Sequence, residues 1–169
     1  MIEKTTRIIG IDPGFGRLGY GILEKENSSW KVLDYGCIET STKKKFIDRL
    51  QEIHVELQKI IKKYKPDCAG VEDLFFAKNI KTAMSVGQAR GVILLTLIMN
   101  NIEVHEFTPL QIKQAITGYG RADKNQIQKM VEMELKINSK IKLDDTADAL
   151  AAALTCASCL NFNKKTAKL

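Results

Sequence analysis

Residues 8–23, IIGIDPGFGRLGYGIL, constrain the chain more than any other stretch. An apolar run that reads as a buried strand ends in a lone carboxylate, Asp12, and four glycines follow within nine residues. A carboxylate at the end of a buried strand is unfavourable unless a partner compensates it. The rest of the chain has to supply that partner.

The strand-like runs come early. Residues 7–12, 19–25 and 30–40 are close in sequence and joined by short turn-rich links, with Asn27, Ser28 and Ser29 in the second turn. Antiparallel hairpins are expected. An amphipathic helix follows at about 44–64, where Phe46, Leu50, Ile53, Leu57 and Ile61 recur at three- and four-residue steps, and Pro66 ends it. CAGVED, 68–73, reads as a short buried strand; 79–100 reads as a helix and VHEFT, 104–108, as a fifth strand. Thr108-Pro109 opens a helix that closes at GYG, 118–120. Asp123 with Gln126 resembles a capping box for the next helix. The last helix starts near Asp144. No repeat or second core interrupts this order. One domain over 1–161 is expected, with a basic, loosely held tail over 162–169.

The 169 residues, 44% of them hydrophobic, suffice for one sizeable core. The longest apolar run, VILLTLIMNNI at 92–102, is too short to span a bilayer, and MIEKTTRIIG has no signal-peptide pattern. A soluble, cytoplasmic protein is expected. Lys and Arg number 26 against 20 Asp and Glu, a net charge of +6 that suits a polyanionic partner. The surplus is spread out, with Lys78 and Lys81, and Arg121 and Lys124, among its clusters. The cysteines at 37, 68, 156 and 159 do not follow a zinc spacing and read as small core or surface residues in a reducing compartment.

Acids recur where local structure does not ask for them. Asp12 ends the first strand and Glu72 ends the fourth; Asp145 and Asp148 lie three apart near the start of the last helix and share a face. Taken alone, Asp12 reads as a turn aspartate, Glu72 as a solvent-facing strand end, and Asp144 as an N-cap. Asp148 is harder to dismiss, because it interrupts a segment, TADALAAAL, that should pack on the sheet. Brought together, four carboxylates repel one another. A hard divalent cation with oxygen ligands, Mg²⁺ above all, relieves the repulsion. Two such ions clamping a phosphate stabilise the attacking and leaving oxygens of an in-line displacement. On this reading metal neutralises Asp12, and the glycines that follow let backbone or DNA come close.

An Asp-x-Gly hairpin also resembles the phosphate-holding hairpin of actin-like and Hsp70-like ATPases, but this chain lacks a second such hairpin and room for a second domain. A more extensive resemblance covers residues 7–158. GIDPGFGRLGYGIL, VEDLFFAKN (71–79), GQARGV (87–92), IKQAITGYGRADKNQIQKMV (112–131) and DDTADALAAAL (144–154) stand in the order found in the RuvC family of crossover junction endodeoxyribonucleases. The resemblance implies an α/β, RNase H-like fold: a five-stranded mixed sheet with three antiparallel N-terminal strands, flanked by helices. It implies a homodimer that resolves four-way (Holliday) junctions in recombination and repair by symmetric nicks, leaving 5′-phosphate and 3′-hydroxyl ends. A branch-migration helicase complex is the implied partner, and two Mg²⁺ ions, replaceable by Mn²⁺, the implied cofactor. A related nuclease acting on RNA or RNA–DNA hybrid is the alternative.

Carried over residue by residue, the implied metal-binding and catalytic acids are Asp12, Glu72, Asp145 and Asp148, with Asp144 a neighbour of the third. Phe75 matches an aromatic placed near the junction crossover, where it or Phe76 would stack on a base. Lys113 and Lys124 match basic residues near the scissile phosphate. Arg90 is expected to hold phosphate or a dimer contact, and Lys78 and Arg121 to add DNA contacts. The helix at 79–100 is apolar on most sides, with Gly87, Ala89 and Gly91 permitting close approach. The sheet on one face and a twin subunit on the other would account for it.

Overall fold

The computed structural model describes residues 5–73 and 80–166, with side chains to 160 apart from those of 80–82. β1 (Arg7–Asp12), β2 (Arg17–Glu26) and β3 (Ser29–Glu39) come first, then α1 (Phe46–Tyr64), β4 (Cys68–Glu72), α2 (Ile80–Met99) and β5 (Glu103–Phe107). Three helices close the chain: α3 (Pro109–Thr117), α4 (Lys124–Glu134) and α5 (Asp144–Thr166). The boundary expected at 161 falls inside α5.

The strands form one sheet in the order β3-β2-β1-β4-β5. β1 pairs antiparallel with β2 and β2 with β3, whereas β1–β4 and β4–β5 are parallel. This is the five-stranded mixed sheet of an RNase H-like fold. The β2–β3 hairpin turns through Asn27, whose φ of 54° is left-handed and suits asparagine. The helix starts follow the expected chemistry. Thr108 and Gln111 form a capping box at α3, and Asp123 and Gln126 form another at α4.

Alternation along the strands sorts the core into two layers. Ile9 and Ile11 of β1, with Ala69 and Val71 of β4, face α1 and α2, meeting Ile53, Leu57, Ile93 and Leu97. Ile8, Leu23 and Cys68 face the other way, toward α3, α4 and the alanine-rich α5. Among the described residues no helix is long and apolar enough to cross a membrane.

A row of glycines fixes how α5 lies. Gly21 of β2 pairs with Gly10 of β1, and Gly10 with Gly70 of β4, so three glycines stand abreast across the sheet. Any Cβ on Gly10 would enter the Ala149 carbonyl, and any on Gly70 the Ala152 carbonyl. Gly19 likewise makes room for the Asp145 backbone. The helix answers with small residues: Ala149, Ala151, Ala152 and Ala153 are fully buried. Of the two expected, backbone or DNA, it is backbone that comes close beside Gly19, and it belongs to this chain's own helix, whose Leu150 fills the space at Gly21.

Candidate active site

The glycine row decides where the acids meet. Ile8, Gly10 and Asp12 alternate onto the α5 face of β1, and Cys68, Gly70 and Glu72 do the same on β4. Asp12 and Glu72 thus follow the paired Ile11 and Val71 at the carboxyl ends of neighbouring parallel strands, on one face. Ligands of open α/β sheets bind at this end of parallel strands. Because α5 is seated on the glycines, its first two turns pass over the same spot and bring Asp145 and Asp148.

The four acids line one cleft of about 410 Å³. Carboxylate oxygens of Asp12, Glu72 and Asp148 lie within 4.8 Å of one another. Asp145 sits beside them but is turned toward β2, where its carboxylate is 3.4 Å from Arg17 Nη1. Asp144 stays outside the cleft, with its side chain 71% exposed. The acid brought to the cluster beside Asp148 is therefore 145.

Electrostatics in the cleft are strained. Burial pushes the Asp12 carboxyl up to about 8, and the charges of Glu72, Asp148 and Asp145 add to the push. Burial, then Asp148, raises Glu72 to about 7, while Lys124 opposes both shifts. Asp148 is raised by burial against the pull of Lys124. Lys124 is the counter-charge of Asp148: its Nζ lies 3.5 Å from Asp148 Oδ2 and 4.0 Å from Asp144 Oδ2, and Asp148 raises its pKa in turn. With Arg17 drawn to Asp145, the two lysines of the cleft leave the Asp12, Glu72 and Asp148 carboxyls raised. Three oxygen donors this close, held partly charge-starved, fit a hard divalent cation.

Other expected residues scatter. Lys113 of α3 and Lys124 at the start of α4 line the cleft, facing the acids from the helical side. Arg121 is exposed in the α3–α4 connection and does not line it. Arg90 is engaged elsewhere: its Nη2 pairs with Glu106 and lies 3.2 Å from Asp73, and only 21% of its side chain is exposed. It braces α2 against β5 and the end of β4 rather than offering a free guanidinium. Phe75, Phe76 and Lys78 lie outside the described residues. Sequence reading missed Arg17, Asp73 and the apolar wall of Pro109, Ile112 and Ile127. Arg17 stood two residues before the strand read at 19–25; in the structure it opens β2, which returns alongside Asp12.

The family model "Crossover junction endodeoxyribonuclease RuvC" matches residues 8–156. The protein of that name from Caldicellulosiruptor saccharolyticus is 56% identical over 149 residues, covering 88% of this chain and 90% of its own. The Halothermothrix orenii protein is 49% identical over 158 residues, covering 94% and 96%. Among solved structures, Thermus thermophilus RuvC in complex with Holliday junction substrate superposes with a TM-score of 0.88 at 30% identity, covering 94% of this chain and 96% of its own.

Proposed function

The chain belongs to the RuvC family of crossover junction endodeoxyribonucleases, and from that premise we propose that it resolves four-way (Holliday) junctions by paired, symmetric, Mg²⁺-dependent nicks. The products are 5′-phosphate and 3′-hydroxyl ends. The observation that carries this reading is the convergence of Asp12, Glu72 and Asp148 within 4.8 Å in a cleft that also presents two lysines.

Asp12, Glu72 and Asp148 would hold the divalent cations through carboxylate oxygens, with Asp145 completing the set. Bound there, such ions supply an activated water and charge neutralisation at the phosphate. Arg17 orients Asp145 by its ion pair. The Lys124 and Lys113 ammonium groups face the carboxylates from α4 and α3, where a backbone phosphate laid in the cleft would meet them. There they offset the negative charge that grows on phosphate oxygens during displacement. Ile112 and Ile127 wall the cleft on the helical side and limit water around the reacting phosphate.

Paired nicks need paired sites. On α2, Met84, Gln88, Gly91, Leu95 and Ile98 recur at alternating four- and three-residue steps and are all exposed. Met84, Leu95 and Ile98 are 58–63% exposed, an apolar stripe opposite the buried Ala89, Ile93 and Leu97. Among the described residues, and apart from its own helix turn and chain neighbours, nothing lies within 4 Å of a Cβ position on Gly91, so a second helix could approach there closely. The stripe has the spacing of a helix–helix seam and supports a two-fold homodimer. Its sites would then serve junctions delivered by a branch-migration helicase.

The test is cleavage of a synthetic mobile-core four-way junction beside matched duplex and RNA–DNA hybrid, with Mg²⁺ and with chelator. Symmetric, ligatable nicks in the junction alone, lost with chelator, are expected. Cutting of the hybrid with the junction untouched would move the chain to a ribonuclease role.

A further inference from the structure

The α5 face of the sheet holds a second cluster of ligating side chains, at the end opposite the carboxylates. Cys68 opens β4, His105 lies mid-way along β5, and Cys156 sits two turns beyond Asp148 on α5. Register pairs Cys68 with Glu103 and Gly70 with His105, so these residues share the face that α5 covers. Gly70 lets Cys156 in: a Cβ there would meet Cys156 Cβ at 2.9 Å.

The two thiol sulfurs are 3.9 Å apart, and both cysteines are buried. A ring nitrogen of His105 completes a triangle in which every ligand atom lies within 4.8 Å of the others. His105 Nε2 is sealed from solvent and makes no hydrogen bond, although Glu103 Oε1 lies 3.3 Å away. A buried imidazole nitrogen without a partner is unfavourable, so the arrangement asks for one more group.

Distances indicate which. Tetrahedral zinc with sulfur legs of about 2.3 Å holds two thiolates roughly 3.8 Å apart. A disulfide requires about 2.05 Å, far short of the separation seen. The donor set is soft, sulfur and imidazole, unlike the all-oxygen cleft. The two places are also well separated: four strand residues from Cys68 to Glu72 span about 13 Å, and eight helical residues from Asp148 to Cys156 about 12 Å.

We propose that Cys68, His105 and Cys156, completed by Glu103, bind one zinc-class transition-metal ion that ties α5 to β4 and β5. Binding deprotonates both thiols, releasing two protons, and takes His105 as the neutral ring. Glu103, whose side chain is 71% exposed, closes the coordination from the solvent side and marks the way in. The metal would hold the far part of the helix whose beginning presents Asp145 and Asp148. Spacing along the chain gave no zinc pattern because the ligands come from three elements, at positions 68, 105 and 156.

The test uses the full-length protein, reduced and stripped with chelator, titrated with Co²⁺ and then Zn²⁺. One equivalent of Co²⁺ should give thiolate-to-cobalt charge-transfer absorption, displaced by Zn²⁺. Cys68→Ser should abolish the band, and His105→Gln should weaken binding roughly tenfold or more. Asp12→Asn should leave the band unchanged, because carboxylate-bound Co²⁺ has no thiolate band. His105→Gln, at a partly exposed position, keeps the test decisive should Cys68→Ser fail to fold. Absence of the band at one equivalent, its survival in both ligand variants, or a Cys68–Cys156 disulfide in the folded apo protein would overturn the assignment.

Discussion

Asp12→Asn should abolish cleavage and, in the absence of metal, make the protein more stable. The folded protein raises the Asp12 carboxyl from the ordinary 3.8 to about 8, first by burial and then through Glu72, Asp148 and Asp145. The folded state therefore binds this proton more tightly than the unfolded chain, and the wild-type apo protein loses stability as pH rises from about 4 to about 8. At about 1.4 kcal/mol per pH unit, the deficit at pH 7 has a ceiling of roughly 4 kcal/mol. Asp12 is partly exposed, and solvent screening should reduce the net gain from asparagine to about 2 kcal/mol. For a chain of this size that corresponds to a rise of about 4–8 °C in Tm. The assay is calorimetry in chelator at pH 5, 6.5 and 8. The advantage of Asp12→Asn should be small at pH 5 and largest at pH 8, and Mg²⁺ should reduce or reverse it by binding the wild type more tightly. A variant no more stable than wild type at pH 8 in chelator would refute the picture of repelling, desolvated acids.

Three further outcomes are expected. Gly10→Ala places a methyl against the Ala149 carbonyl and should destabilise by about 1–3 kcal/mol, read as a lower denaturant midpoint with an unchanged slope. Lys124→Ala removes the ammonium nearest Asp148 and should slow single-turnover cleavage by roughly a hundredfold or more. Leu95→Asp puts a charge in the middle of the exposed α2 stripe and should give a monomer by analytical ultracentrifugation, with Tm near wild type.

What could be read from the sequence was mainly local. Thr108 with Pro109, and Asp123 with Gln126, announced two helix starts, because a cap and its first turn lie within four residues of one another. Asp12 and Glu72 stood out as acids ending apolar strands, and Asp148 as an acid inside an alanine-rich helix. What was hidden depends on register. Gly10, Gly21 and Gly70 are separated by up to 60 residues, and only strand pairing lines them up to receive α5. The glycines after Asp12 were read as letting backbone or DNA come close, without showing that the backbone beside Gly19 is that of α5. The pairing of Arg90 with Glu106 was hidden because Glu106 lies on a strand that reaches it only after the sheet assembles. The Arg17–Asp145 pair and the cluster of Cys68, His105 and Cys156 were hidden for the same reason.

Single-turnover cleavage of a four-way junction by Asp12→Asn, Glu72→Gln, Asp145→Asn and Asp148→Asn, with binding measured beside it, tests the central claim most directly. Cutting should be lost in each while the junction is bound as tightly as by wild type, or more tightly, because acids that repel phosphate have been neutralised. Near-wild-type cleavage by Asp12→Asn or Asp148→Asn would contradict the claim that these carboxylates hold the metal that cuts.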